Sequence, residues 1–268
     1  MICFPNAKIN LGLMVTGKRE DGFHNLRTCF YPIPLCDVLE FVPSEKYALT
    51  VYGSPLLGDP KKNLVSQVYS AMQQDFDIPP VKVSLLKRIP IQSGLGGGSS
   101  DAAFFMKELN GFFGLRLTVA DMEKLIAPLG SDCAFFIRNS PAMGEGRGDQ
   151  LSSVTVSLKG VCATLFVPGF SISTALAYSL VVPSCHESAL PVLLAADRNT
   201  WRTSLYNDFQ SVAERLFPEI ALITEEMYKR GAFYASLSGS GSAVYALSDQ
   251  PLNMSNFPVK GTIYQWIF

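Results

Sequence analysis

Apolar and polar positions change period several times along the chain, and those changes divide it into elements. Residues 7–15 alternate well enough for a strand. Residues 27–33, 38–42 and 47–52 are β-branched or aromatic runs broken by Pro, Gly and Asp, which predicts a meander. The period then lengthens. Leu64, Val68, Ala71 and Met72 share one helical face, which predicts a helix over 63–76 capped by Asn63. Residues 81–86 read as strand again. A loop dense in Gly and Ser fills 88–100. After it, Ala102, Phe105, Met106, Leu109, Phe112 and Phe113 form the stripe of a helix that Gly114 stops. Thr118 caps a short helix running to Pro128, with Asp121 in its first turn. Further on, 151–158 and 161–167 read as strands, and helices are expected around Thr174 and over 207–217 and 219–230. Strands at 233–237 and 243–247 are joined by a second small-residue loop, SGSGS, at 238–242. The strand–helix series restarts near 150–160 without a linker, so two domains are expected, 1–155 and 156–268.

Composition narrows the class. With 48% hydrophobic and 17% charged residues among 268, the chain can build a core and is not disordered. A net charge of −1 argues against a nucleic-acid partner held by phosphate neutralisation. No apolar run reaches the roughly 18 residues of a membrane span, and the start MICFPNAKIN is not a secretion signal, so a cytoplasmic protein is expected. The cysteines Cys3, Cys29, Cys36, Cys133, Cys162 and Cys185 form no C-x-x-C pair, and His24 and His186 are the only histidines. Buried thiols are expected rather than zinc or disulfides. No obligate protein partner is evident.

The chemistry concentrates in PIQSGLGGGSSDAA, residues 90–103. Gly94, Gly96, Gly97 and Gly98 lack a Cβ, so backbone N–H groups there can approach a phosphate, and a helix N-terminus follows. Ser99 and Ser100 add hydroxyls for a phosphate oxygen or a metal ion. The dinucleotide fingerprint fits poorly, because its last glycine is replaced by Ser99. The P-loop lacks its Lys, and the protein-kinase H-R-D and D-F-G motifs are missing. In PNAKINLGL, residues 5–13, Lys8 and Asn10 fall on one strand face.

Together the Lys-bearing strand, the GLGGGSS loop and the later GSG loop resemble the GHMP kinase superfamily, the small-molecule kinases of galactose, homoserine, mevalonate and phosphomevalonate. The pairing of AKINL with DGFH, together with LGSDCAFF and VPGFSISTALAY, is the most specific part of the resemblance. The resemblance implies an α+β fold of two domains, the N-terminal one like ribosomal protein S5 domain 2 and the C-terminal one ferredoxin-like, with the active site in the cleft. It implies an ATP-dependent phosphotransferase with Mg²⁺, acting on an alcohol linked to cytidine diphosphate. Lys8 and Asp132 would then flank the acceptor hydroxyl, the carboxylate orienting it and taking its proton. Asp132, beside Gly130 and Ser131, also reads as a helix or turn cap. Gly94, Gly96, Gly97, Gly98, Ser99 and Ser100 would cradle the phosphates, with Ser99 or Ser100 near Mg²⁺. Asn63 and Lys87 would line the adenine pocket, and Gly239 and Gly241 would lie close by. His24 would read the cytosine edge, Phe23 and Tyr178 would stack on the base, and Asn10 would touch the acceptor. Phe23 stands where Tyr is commonest, while Gln92, Ser93 and Ser131 replace usual small residues, which puts nucleotide affinity in question. A kinase of mevalonate or homoserine type and a silent nucleotide-binding regulator are the alternatives.

Overall fold

The structure, a computed structural model, describes residues 1–53, 62–184 and 189–268. Cys185 and His186 therefore lie outside the described residues. The N-terminal elements are β1 (Ile2–Cys3), β2 (Asn6–Lys18), β3 (His24–Cys36), β4 (Val38–Pro43), β5 (Ala48–Tyr52), α1 (Leu64–Phe76) and β6 (Val81–Leu86). Next come α2 (Gly97–Phe112), α3 (Val119–Ile126), α4 (Cys133–Arg138), β7 (Ala142–Gly146), β8 (Gln150–Ser153) and β9 (Cys162–Pro168). The helices α5 (Thr174–Leu180), α6 (Leu190–Ala195), α7 (Trp201–Ser204), α8 (Gln210–Leu216) and α9 (Glu219–Lys229) follow. The last strands are β10 (Tyr234–Leu237), β11 (Val244–Ser248) and β12 (Gly261–Ile267). Among the described residues, no helix is long and apolar enough to cross a membrane.

The chain divides into two compact units, each drawn from several stretches. The first comprises residues 1–8, 32–91 and 96–140. Its sheet has the order β1-β4-β6-β5. Only β5 and β6 pair in parallel there, and α1 lies between them in the chain. Asn63 caps α1 by accepting from the Val65 N–H at 3.0 Å. Thr118 and Asp121 form a reciprocal capping box on α3. Apolar stripes of the helices meet the sheet's inner side chains: Phe105 of α2 packs edge-on against Phe41 of β4 with ring centroids 5.6 Å apart.

The expected meander does not form. Only Asp37 separates β3 from β4, which leaves no room for a hairpin, so the chain passes into a different sheet at that residue. β5 then takes the edge, and β6, returning by way of α1, pairs with β4 on one side and β5 on the other. α2 begins at Gly97, two residues before the expected serines, because Gly96 adopts φ +72° at its N-cap. The strand expected over 151–158 stops at Ser153. The six-residue α4 carries too short a pattern to read in advance, and the seven-residue edge strand β12 was not among the expected elements.

The second unit comprises residues 9–31, 92–95 and 141–268. It holds the sheet β10-β11-β9-β12 and most of the sheet β2-β3-β7-β8. Its core gathers Leu13, Phe166, Phe209, Ile220, Ile223, Met227 and Val244, among others, all buried. Cys3, Cys29, Cys133 and Cys162 are buried free thiols, and Cys36 is half-buried. Burial pushes the Cys29 thiol up to about 12.

Phe105 is fully buried between helix and sheet, so Phe105→Ala should lower the unfolding free energy by about 3–5 kcal/mol, read from urea denaturation.

Candidate active site

In the first unit the strand β2 brings in Lys8, 3% exposed, and the turn before α4 brings in Asp132. The Lys8 ammonium lies 3.4 Å from the Asp132 carboxylate. Asp132 occupies the N-cap position of α4, yet its side chain makes no capping hydrogen bond. The carboxylate turns to the lysine instead, so the capping alternative falls away. A Cβ on Gly96 would stand 3.2 Å from Cε of Lys8 and 3.0 Å from the Phe136 ring. The pair therefore sits directly beside the start of α2, and glycine there is required by both space and backbone angle.

The first bond of that helix runs from the Ser100 N–H to the Gly96 carbonyl at 2.9 Å. The N–H groups of Gly97, Gly98 and Ser99 precede it and have no intrahelical acceptor. No side chain caps them. They and the helix dipole make an anion site. A Cβ on Gly98 would find nothing closer than Leu64 at 3.9 Å, whereas one on Gly97 would meet Ile89 at 2.9 Å. Ser99 lies by the Asp132 turn: its Oγ would be 3.7 Å from a Cβ on Gly130. Ser99 is half-buried, whereas the Ser100 hydroxyl is sealed at 0% exposure and has no partner. Of the two serines, only Ser99 can present its hydroxyl outward. Asn63 uses its side-chain oxygen as the α1 cap.

Lys87 does not project freely. Its ammonium pairs with Asp37 and, at 2.6 Å, with Asp101. Burial alone would lower Lys87, but the two carboxylates raise it above the usual lysine range. Burial pushes the Asp101 carboxyl well up; Lys87 opposes the rise and Asp37 adds to it. Asp37 was missed in the sequence, although a lone acid inside the apolar run PIPLCDVL signals a buried carboxylate that needs partners.

In the second unit the two small-residue loops lie back to back. The Ala243 N–H donates to the Ser93 carbonyl at 3.1 Å, and the Ser238 hydroxyl to the Gly94 carbonyl at 3.0 Å. Gly94, at φ +78°, has room for no side chain, since a Cβ would meet the Ser238 carbonyl oxygen at 1.9 Å. A Cβ on Gly239 would meet the Gly94 carbonyl at 3.1 Å, and one on Gly241 would press on Ile172 and Leu237, also at 3.1 Å. Gln92, at φ +53°, accepts from the Ser171 hydroxyl at 3.3 Å. Asn10 is buried; its amide donates to Thr28 at 2.8 Å, and its carbonyl accepts from Tyr245 at 2.7 Å. His24 and Tyr178 come together, with ring centroids 5.3 Å apart. Phe23, 50% exposed, lies instead under the guanidinium of Arg147 at 5.0 Å. Arg147 was not singled out in the sequence, where nothing marks it as aromatic-facing. Burial lowers the His24 imidazole below its ordinary range, and Lys18 adds to the effect.

A Lys–Asp pair next to a glycine-opened helix N-terminus is the arrangement expected of a small-molecule kinase. The family models agree. Residues 63–140 match the GHMP kinases N terminal domain, and residues 189–255 match the GHMP kinases C terminal region. The chain belongs to the GHMP kinase family and has its two-domain fold of mixed helix and sheet. Within the family its relatives carry a more particular name. A 4-diphosphocytidyl-2-C-methyl-D-erythritol kinase from Parabacteroides distasonis is 42% identical over 266 residues, covering 99% of this chain and 98% of the relative. One of the same name from Bacteroides fragilis is 45% identical and covers 92% of each. A crystal structure of 4-(cytidine 5'-diphospho)-2C-methyl-D-erythritol kinase superposes with a TM-score of 0.79 at 33% identity, covering 94% of this chain and 91% of that one. A mevalonate kinase structure superposes at 0.72 with 14% identity over 99% of this chain and 98% of that one, a likeness of fold.

The glycine geometry separates two roles. Gly94→Ala should lower Tm by about 5–10 °C, because strain and a backbone clash coincide. Gly98→Ala, facing open space, should leave Tm within about 2 °C by calorimetry.

Proposed function

We propose that this chain transfers the γ-phosphoryl group of ATP to the 2-hydroxyl of 4-diphosphocytidyl-2-C-methyl-D-erythritol, in the non-mevalonate isoprenoid pathway. The observation that carries the reading is the Lys8–Asp132 pair, 3.4 Å apart and beside Gly96 at the head of α2. The names of the relatives support the choice of acceptor.

Phosphoryl transfer passes through a loose transition state, so positioning and charge do most of the work. The N–H groups of Gly97, Gly98 and Ser99 hold the phosphates. The ammonium of Lys8 draws charge from the migrating group and keeps Asp132 in place. Asp132 orients the tertiary alcohol and accepts its proton as the new O–P bond forms. Among the described residues no group of three or more His, Cys, Asp or Glu is placed to hold a metal. On the loop, the half-buried Ser99 hydroxyl is the group that would hold Mg²⁺ bound to the ATP phosphates. Bound there, Mg²⁺ would neutralise phosphate charge.

The cytidine end belongs to His24 and Tyr178. A mostly buried imidazole that stays neutral presents one donor and one acceptor, which suits a cytosine edge, and Tyr178 offers the ring beside it. A kinase of simple alcohols has no use for this pair.

The experiment is ADP release with the cytidine substrate, mevalonate and homoserine in turn. Turnover with the cytidine substrate alone is expected; efficient use of mevalonate or homoserine overturns the acceptor assignment. Asp132→Asn should cut kcat by about 10³-fold with ATP binding little changed, measured by turnover and equilibrium titration. The His24 reading also fixes a pH dependence. With the pKa below its ordinary 6.5, His24 remains neutral as pH falls from 8 to 6.5. KM for the cytidine substrate should stay flat across that range and rise only below it, as the imidazole gains a proton. A His24→Gln enzyme should lack the acid rise.

A further inference from the structure

One buried ionic cluster has no part in the mechanism above. Lys87 stands where the glycine loop begins, and Asp101 lies fourteen residues later, as the fifth residue of α2. Their ion pair of 2.6 Å ties the two ends of the loop together. Asp37 completes the cluster. One of its oxygens accepts from the Lys87 ammonium, and the other accepts the N–H groups of Arg88 at 2.5 Å and Ile89 at 2.8 Å. The side chains of Lys87, Asp37 and Asp101 are 8%, 0% and 3% exposed. A Cβ on Gly97 would lie 3.3 Å from the Lys87 ammonium, so the cation presses against the first residue of the helix. Both carboxylates of the cluster thus face the ammonium.

We infer that Asp37, Lys87 and Asp101 are positioning residues that hold the glycine loop in its phosphate-binding form before ATP arrives, and so set ATP affinity. The argument is entropic. A segment rich in glycine loses more freedom on ordering than any other, and a ligand that must order it binds more weakly. A desolvated ion pair that clamps entry to exit moves that cost from binding to folding. Charges out of water tolerate few alternative arrangements, which makes the clamp rigid. The inference rests on the reading of this loop as the ATP site.

The test combines steady-state kinetics with hydrogen–deuterium exchange of residues 88–100. Asp101→Ala and Asp37→Asn should raise KM for ATP by about tenfold, with kcat and KM for the alcohol changed less than about twofold. Without ATP the loop should exchange faster in both variants than in the wild type, and saturating ATP should restore slow exchange. Asp101→Asn keeps an acceptor oxygen for Lys87 and should bring KM for ATP back most of the way. Unchanged KM for ATP and unchanged exchange in folded variants overturn the proposal. A fall in kcat alone does so too, since it would put the cluster on the chemical step. A wild-type loop whose exchange ATP does not slow overturns the ATP assignment instead, and faster apo exchange in Asp101→Ala still reports the clamp.

Discussion

An ammonium group kept from water has to be surrounded by acceptors, and much of the first unit is arranged around that need at Lys87. Asp37, the residue between β3 and β4, and Asp101, the fifth residue of α2, both supply it with a carboxylate. Meeting that demand places α2 relative to β6 and places the glycine loop between them. The carboxylate of Asp37 also takes two backbone N–H groups that the departing strand can no longer pair. The break between two sheets, the end of β6 and the start of α2 are therefore one electrostatic problem with one solution.

Lys8 and Asp132 follow a different logic. Asp132 stands where a helix wants a cap and does not act as one. Its carboxylate is 30% exposed, enough to meet an incoming alcohol, while the lysine beside it is almost wholly covered. The result is an anion held in a fixed direction by a cation that cannot swing away. The pair proposed to recognise the base is separate. His24 begins β3 and Tyr178 lies on α5, so the groups proposed for chemistry and for the base come from different stretches of chain.

Much of this was legible in the sequence. Period changes located α1, α2, α3, β6, β10 and β11 closely, because each carries a strong stripe or alternation, with clear helix boundaries at Asn63, Thr118 and Gly114. Which strands pair was not legible, since pairing depends on connections; the single residue between β3 and β4 proved decisive. The lysine and aspartate of the candidate site could be named from motifs, and the structure sets them side by side. The engagement of Lys87 could not be named. Its partners lie fifty and fourteen residues away, and only burial identifies them. Likewise, the adjacency of Phe23 and His24 in the chain hid their different neighbours, Arg147 for one and Tyr178 for the other.

The contact between Gly94 and the 238–242 loop has a consequence for how the protein is made. The Ser238 hydroxyl meets a carbonyl 144 residues earlier in the chain, at a place where the two backbones leave no room for a side chain. Contacts of such separation form late, after local structure has reduced the entropy of closing the loop. During synthesis the glycine loop leaves the ribosome long before its backing does. A nascent chain can thus own the whole glycine loop and still lack the support behind it.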